Sequence, residues 1–139
     1  GHRHTPEIIQ NLSRVTDAAV RVSFTPTLVP MSRGILATCS APLAGDVSAE
    51  DAHAAYAEMY ADEPFIHVLP PGRWPQTQSV IGSNAVQLQV TVDPAARRLV
   101  AVGVVDNLAK GTGGAAVQCL NLALGLDEGL GLSTVGVSP

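Results

Sequence analysis

Aromatic residues, charges and cysteines are all scarce in this sequence, and each shortage narrows what the chain can be. Only 4% of its 139 residues are aromatic and 14% charged, whereas 46% are hydrophobic. A chain with so much apolar material is globular rather than disordered. At this length it forms one domain of ordinary size, able to bury roughly 68% of its unfolded surface. The core must therefore consist of Val, Ile, Leu and Ala rather than large rings.

Positive charge and long apolar runs are also in short supply. The eight Lys and Arg residues are scattered and the formal net charge is −4, which leaves no basic surface to attract nucleic acid. No stretch reaches the roughly 18 consecutive apolar residues of a membrane span, and the opening GHRHTPE lacks the apolar part of a secretory signal. We expect a soluble cytoplasmic protein without nucleic-acid or membrane partners.

The two cysteines, Cys39 and Cys119, lie in apolar stretches and lack CxxC spacing. This pattern argues against a disulfide framework or a zinc site and predicts two buried free thiols. A metal site at His2 and His4 would need a third ligand, which the pattern does not place nearby. We therefore expect no metal.

Local signals mark the ends of three predicted helices. Thr5 is placed as an N-cap, Ser48 and Asp51 have the spacing of a capping box, and Gly125 can terminate a helix at its C′ position. The predicted helices cover residues 5–15, 48–60 and 115–124.

Alternating or continuous apolar residues predict strands over residues 21–25, 34–41, 65–69, 84–92 and 99–105. The fourth of these segments alternates, so one of its faces lies on the core, whereas the last is apolar throughout and is predicted to be buried on both faces. The turn at Asp93 and Pro94 joins these two as a hairpin. The resulting fold class is α+β, with a mixed or antiparallel sheet, helices on one face and an open face used for dimerisation.

The densest group of functional side chains stands at the start of the chain. His2, Arg3 and His4 directly precede a helix and could supply a general acid/base together with a cation for a carboxylate or phosphate. Glu7, one turn further on, could fix the tautomer of an imidazole. A solvated stub without function is the alternative.

A glycine-rich segment precedes the last helix. Gly111, Gly113 and Ala116 fit the pattern G-x-G-x-x-A, but no strand or acidic residue follows at the distance that a dinucleotide site requires. Close packing of a helix is therefore favoured over a self-contained dinucleotide site. Two further corners, at Arg33 and at residues 82–84, are interpreted as turns with exposed donors.

Read together, five segments in order resemble the N-acetyl-γ-glutamyl-phosphate reductase family: GHRHTPEI, VSFTPTLVPMSRGILATC, EPFIHVLPPG, VIGSNAVQLQVTVD and DNLAKGTGGAAVQCLNLALGLDEGLGL. The resemblance implies a two-domain enzyme of the aspartate-semialdehyde dehydrogenase type. Its Rossmann domain holds NADP(H), and its α+β domain carries part of the active site and the subunit interface. The implied reaction reduces a small-molecule acyl phosphate to an aldehyde in arginine biosynthesis.

The resemblance also implies roles for individual residues. The acid/base imidazole would be His4, with His2 as the alternative and Glu7 as the orienting carboxylate. Contacts to the substrate fall on Arg3, Arg33, Ser83 and Asn84, and contacts to the cofactor fall on Asn107 and Gly111.

Two parts of the family pattern have no counterpart here. The nucleophilic Gly-Cys-Tyr-Pro motif and the dinucleotide fingerprint are missing, and Cys39 and Cys119 sit where no thiolate would be stabilised. Because the chain opens on Gly1, we expect a domain cut from a longer protein and inactive alone. Residues 1–106 would form an incomplete substrate and dimerisation domain, and residues 107–139 would dock on the missing NADP-binding domain.

The expected assembly is a homo-oligomer, either a dimer or a tetramer. The alternative from another class is a non-catalytic α+β dimerisation module.

Overall fold

The structure, a computed structural model, describes residues 2–137, and the chain divides into two compact units, Gly1–Met31 and Ser32–Pro139. The first unit contains one helix, α1, and the second contains a four-stranded sheet with the remaining helices. No helix among the described residues is long and apolar enough to cross a membrane.

The first helix, α1 (His4–Leu12), begins earlier and ends earlier than predicted. Thr5 is not its N-cap. That position belongs to Arg3, whose side chain makes no capping hydrogen bond, and Thr5 already lies in the first turn. At its end the Ser13 hydroxyl donates to the Ile9 carbonyl at 2.8 Å, a local bond of the kind that competes with continuation of a helix.

The predicted strand over residues 21–25 is wrong, since this segment has no regular secondary structure. A strand needs a partner for its backbone groups, and none of the strand pairs among the described residues includes this segment. Pro26 and Pro30 nearby further limit pairing because proline lacks a backbone donor.

The sheet of the second unit has the order β1-β4-β3-β2. Its strands are β1 (Ile35–Pro42), β2 (Ile66–Val68), β3 (Val86–Asp93) and β4 (Arg98–Val105). β4 pairs antiparallel with both β1 and β3, whereas β2 pairs parallel with β3. This mixed sheet confirms the predicted α+β class. The hairpin between β3 and β4 is also confirmed, with Asp93 paired to Arg98 at its closed end.

The second helix, α2 (Ala49–Met59), packs on β3 and buries Ala52. Its predicted capping box is present: the Ser48 hydroxyl accepts the Asp51 N–H at 3.0 Å, and the Asp51 carboxylate accepts the Ser48 N–H at 3.4 Å. Met59, the last residue of the helix, is exposed, so its side chain does not contribute to the packing on the sheet.

The third helix, α3 (Gly114–Ala123), follows a π-helical turn, Ala109–Gly113. Gly125 lies just beyond its end with φ +67°. The N–H of Gly125 donates to Leu122 and that of Leu126 to Asn121, which is the bond pattern of a Schellman motif. The predicted terminating role of Gly125 is confirmed.

The core lies where the start of β3 and the end of β4 meet the 3₁₀ turn Thr77–Val80. Its centre is formed by the buried aliphatic residues Val80, Ala85 and Val104. The prediction that β4 is buried on both faces is wrong, because most of its residues are only half-buried.

The predicted burial of the two cysteines is also wrong, since Cys39 and Cys119 are both exposed. β1 is an edge strand and all eight of its residues, Cys39 among them, are exposed. Cys119 lies on a face of α3 that is likewise uncovered.

Candidate functional site

The predicted site residues fall into two groups, one in each compact unit. The first unit holds the cluster His2, Arg3, His4 and Glu7. The second unit brings together Arg33, Ser83, Asn84, Asn107 and Gly111 around a carboxylate that the sequence analysis did not single out.

The two imidazoles of the first unit are in contact at the start of α1. Their ring centroids lie 4.8 Å apart in an edge-on arrangement, and His2 also contacts Phe24 at 5.3 Å. The backbone N–H of His4 donates to His2 Nδ1 at 3.3 Å, so neutral His2 carries its proton on Nε2. Arg3 and Glu7 are exposed, and no hydrogen bond among the described residues joins Glu7 to either ring.

In the second unit the side chain of Asp106, at the end of β4, gathers three separate segments. Its Oδ1 accepts the N–H groups of Leu108 at 2.7 Å and Ala109 at 2.9 Å, and its Oδ2 accepts the N–H of Gly82 at 2.6 Å. Arg33 Nη2 lies 2.9 Å from Oδ1 and 2.7 Å from Oδ2. We call these five residues the Asp106 cluster.

The charge of Asp106 is stabilised by these donors. Burial by itself would raise the pKa of this carboxyl, because it removes the charged form from water. The backbone N–H groups of Gly82 and Ala109, the Arg33 guanidinium and the Leu108 N–H outweigh that effect and hold the pKa far below its ordinary range. Asp106 is therefore ionised and fully buried, and each of its two carboxylate oxygens accepts at least two hydrogen bonds.

The corner at residues 82–84 is not the exposed turn that the sequence predicted. Ser83 and Asn84 are only 1% and 2% exposed, because residues 133–137 fold over them. The Asn84 N–H donates to the Ser133 carbonyl at 2.8 Å, and the Ser83 hydroxyl donates to the Val80 carbonyl at 2.8 Å. Both side chains therefore point into the chain rather than toward solvent.

Asn84 is connected to the last helix by a polar network. Gln118 Oε1 accepts hydrogen bonds from Asn84 Nδ2 at 2.9 Å and from Lys110 Nζ at 2.6 Å. Gln118 Nε2 in turn donates to Glu128 at 2.5 Å. Asn84 Oδ1 remains buried without a hydrogen-bond partner and faces Gly114, where an added Cβ would clash. The start of α3 is thus fitted closely to this corner.

The predicted cofactor contacts lie in the turn that follows Asp106. Asn107 Oδ1 accepts the Gly34 N–H at 2.7 Å, which leaves the Nδ2 amide group for a ligand. The Gly111 N–H donates to the Asp106 carbonyl and the Gly113 N–H to the Leu108 carbonyl, each at 2.9 Å. These bonds occupy the amides that a self-contained phosphate loop would need. The glycines serve close packing here, as the sequence analysis favoured.

Asp106 is the residue of this site that sequence reasoning missed, although a signal was present. An Asp that directly follows an apolar strand and precedes a helical segment is a favoured capping residue, because its carboxylate accepts the next free N–H groups. Nothing local in the sequence indicates its bonds to Gly82 and Arg33, which are 24 and 73 residues away. Within residues 2–137 no group of three or more potential metal ligands is found.

Residues 1–107 match the semialdehyde dehydrogenase dimerisation domain family. Two similar curated relatives, each named N-acetyl-gamma-glutamyl-phosphate reductase, come from Saccharopolyspora erythraea and Streptomyces coelicolor. The first is 66% identical over 99% of this chain and 40% of its own length, and the second is 63% identical over 100% of this chain and 41% of its own. The chain thus spans about two fifths of the length of these relatives.

A solved structure supports the fold separately. Aspartate semialdehyde dehydrogenase II from Vibrio cholerae superposes with a TM-score of 0.56 at 22% identity, over 69% of this chain and 28% of that one. At this identity the likeness concerns the fold alone. Since the family match covers most of the sequence and the mixed sheet agrees with this fold, the chain belongs to the semialdehyde dehydrogenase dimerisation domain family.

Proposed function

We propose that this chain is part of an NADPH-dependent reductase that converts N-acetyl-γ-glutamyl phosphate to N-acetylglutamate semialdehyde in arginine biosynthesis. The observation that carries the proposal is the 66% identity, over 99% of the chain, to a protein named as this reductase. Within the enzyme the chain would supply acid/base and substrate groups and a subunit contact. The nucleophilic cysteine and most of the NADP(H) site would come from a domain outside it.

The chemistry divides into two steps. A cysteine thiolate attacks the acyl carbon, the bond to the phosphate oxygen breaks, and phosphate leaves a thioester behind. Bound NADPH would supply a hydride to that carbon. The carbon–sulfur bond then breaks, which releases the aldehyde and restores the thiolate. An imidazole of this chain would give and take the protons that these steps require.

Between the two imidazoles, the geometry favours His4 for the proton transfer. The ring of His4 is exposed, whereas the ring of His2 is half-buried against Phe24 and has its Nδ1 engaged by a backbone N–H. His2 is then the residue that packs beside the acid/base group. The orienting role of Glu7 stays a prediction.

Among the proposed anion contacts, Arg3 is the more available. Arg3 is exposed at the start of α1, and neither of the described ion pairs includes it. Arg33 already forms an ion pair with Asp106 through Nη2, so only its remaining N–H groups could bind an anion. Ser83 and Asn84 are buried, so they would contribute to substrate binding by shaping the pocket rather than by presenting side chains at the surface.

For the cofactor, this chain offers the side-chain Nδ2 group of Asn107. Gly111 would contribute by close approach of its backbone, since its N–H is already bonded, and most of the NADP(H) site would lie in another domain. The family description supports a homo-oligomer, with a dimer as its smallest form. Because NADPH and acyl phosphates are anions that do not cross membranes unaided, we place the enzyme in the cytoplasm with them.

The proposal is tested with a chimaera in which this chain replaces the matched 138 residues of the Saccharopolyspora erythraea reductase. The chimaera should reduce N-acetyl-γ-glutamyl phosphate with NADPH. His4→Asn should lower kcat by about 10²–10⁴-fold, the usual contribution of general acid/base catalysis. His2→Asn should have a smaller effect. NADPH consumption and the pH profile of kcat are the measurements.

The rival function is a non-catalytic dimerisation module. It predicts that both histidine variants keep normal turnover while the assembly stays intact, as judged by light scattering. That result would reject the acid/base assignment. A chimaera that assembles but does not reduce the acyl phosphate would reject the reductase proposal itself.

A further inference from the structure

We propose that Asp106 is a positioning residue of the enzyme, whose carboxylate fixes the relative places of the three segments that carry the substrate and cofactor contacts of this unit. The inference rests on the proposed function for the roles of those contacts. Its geometric content, that one carboxylate holds the three segments together, rests on the structure of the second unit alone.

The segments joined by Asp106 are distant in sequence and have no shared strand or helix. One is the turn before β1, which holds Arg33. Another is the corner at Gly82, and the third is the turn at Leu108 and Ala109. Every bond to the carboxylate is 2.9 Å or shorter, and its side chain is fully buried. Short, charge-assisted bonds in a buried place tolerate little displacement of their donors.

Each of the three segments either contains a predicted ligand contact, as at Arg33, or lies within two residues of one. Gly82 is followed directly by Ser83 and Asn84, and Leu108 and Ala109 lie between Asn107 and Gly111. A second bond strengthens the arrangement, since the Gly34 N–H donates to Asn107 Oδ1 at 2.7 Å. A shift of the Asp106 carboxylate would therefore move the substrate side and the cofactor side of the unit together.

The corner at Gly82 explains why this arrangement needs glycine as well as a carboxylate. Gly82 has φ +75°, a left-handed conformation that turns its N–H toward Asp106. A Cβ at this position would lie 2.8 Å from a methyl carbon of Val137. The left-handed backbone and the contact with Val137 therefore both favour glycine at the corner whose N–H bonds Asp106.

Asp106 holds the segments through its two acceptor oxygens rather than through the size of its side chain. Asp106→Asn keeps the size of the side chain but replaces one acceptor oxygen with an N–H₂ donor. Whichever way the amide turns, this donor faces either the Gly82 N–H or the N–H groups of Leu108 and Ala109. One segment must then move away. A misplacement of about 1 Å far from the reacting atoms can lower turnover by about 10²-fold.

The kinetic experiment compares Asp106→Asn with Val90→Ala in the chimaera described above. Val90 is 3% exposed on β3, where it pairs with Ala101 at a distance from the Val86–Val105 pair next to Asp106, so its truncation destabilises the unit away from the three segments. At a temperature where both variants are folded, we expect Asp106→Asn to lower kcat/KM by about 10–100-fold and to raise KM for NADPH and for the acyl phosphate together. Val90→Ala should leave both KM values unchanged.

A second experiment, amide hydrogen exchange, does not require an active enzyme. In the 139-residue chain itself, amide hydrogen exchange should accelerate at residues 82–84 and 107–111 in Asp106→Asn, while α2 keeps its protection. Asp106→Glu, which keeps the charge but moves the carboxylate by one methylene, should give the same pattern in a milder form. Uniform acceleration over the whole unit would overturn the inference.

The outcomes separate the two proposals. An inactive chimaera combined with selective loosening rejects the reductase and leaves the geometric content of the inference standing. Unchanged KM values in Asp106→Asn reject positioning, as does an equal rise of both KM values in Val90→Ala. If neither Asp106 variant folds where Val90→Ala does, Asp106 is a folding determinant only and the inference is rejected.

Discussion

Two Arg–Asp ion pairs of nearly equal length occupy opposite environments in this chain. Arg33 and Asp106 approach to 2.7 Å with the carboxylate fully buried, whereas Arg97 and Asp46 approach to 2.9 Å with both side chains largely exposed. Water screens the exposed pair, so the identity of Asp46 should matter little for stability. The buried carboxylate, by contrast, accepts hydrogen bonds from three backbone N–H groups and from Arg33.

The two aspartates therefore form a matched test of stability against pH. Asp106→Asn should lower the free energy of unfolding at pH 7 by about 1–3 kcal/mol, because it replaces a buried charged acceptor of several hydrogen bonds with a neutral group that has one acceptor oxygen. Asp46→Asn should not shift the denaturation midpoint measurably. Because the folded-state pKa of Asp106 is lowered, its stabilising effect is complete above the ordinary pKa of about 4 and is lost as the pH falls further.

Urea denaturation between pH 7 and pH 2.5 measures both effects. The gap between the unsubstituted chain and Asp106→Asn should stay constant down to about pH 4 and narrow below it. A gap that keeps its full size at pH 2.5 would contradict a lowered pKa of this carboxyl in the folded state.

Elements whose ends depend on local chemistry could be predicted from the sequence. The capping box at Ser48 and the Schellman glycine at Gly125 involve residues within one turn of each other, so their spacing is enough to locate α2 and the end of α3. The exposure of Cys39, the absence of a strand at residues 21–25 and the bonds of Asp106 depend on distant neighbours. Periodicity carries no information about such neighbours, which is why these predictions were wrong or missing.

The stability of the start of α2 should depend on the capping box at Ser48. Ser48→Ala removes the acceptor for the Asp51 N–H and should destabilise the chain by about 1 kcal/mol. Ser48→Asp, which keeps an acceptor at the same position, should retain most of the stability. Thermal denaturation followed by circular dichroism compares the two variants. Equal losses in both would mean that the first turn of α2 is held by its packing on β3 instead.

For the molecule as a whole, the distribution of exposed apolar residues requires a further layer. β1 is an edge strand with every residue exposed, and Ile35 and Leu36 are 48% and 51% exposed. Such an edge offers unpaired backbone groups together with apolar surface, which natural proteins cover. Because the matched family is described as a dimerisation domain, we predict that a second copy covers this strand.

Leu36→Lys tests this assignment because it places a charge on the exposed edge. We expect it to weaken self-association by at least tenfold, measured as the dissociation constant in sedimentation equilibrium, since a lysine buried at an interface must lose its hydration. Met59→Lys, on the exposed end of α2, is the control and should leave the association constant unchanged. If Leu36→Lys associates as tightly as the unsubstituted chain, the interface lies on another surface.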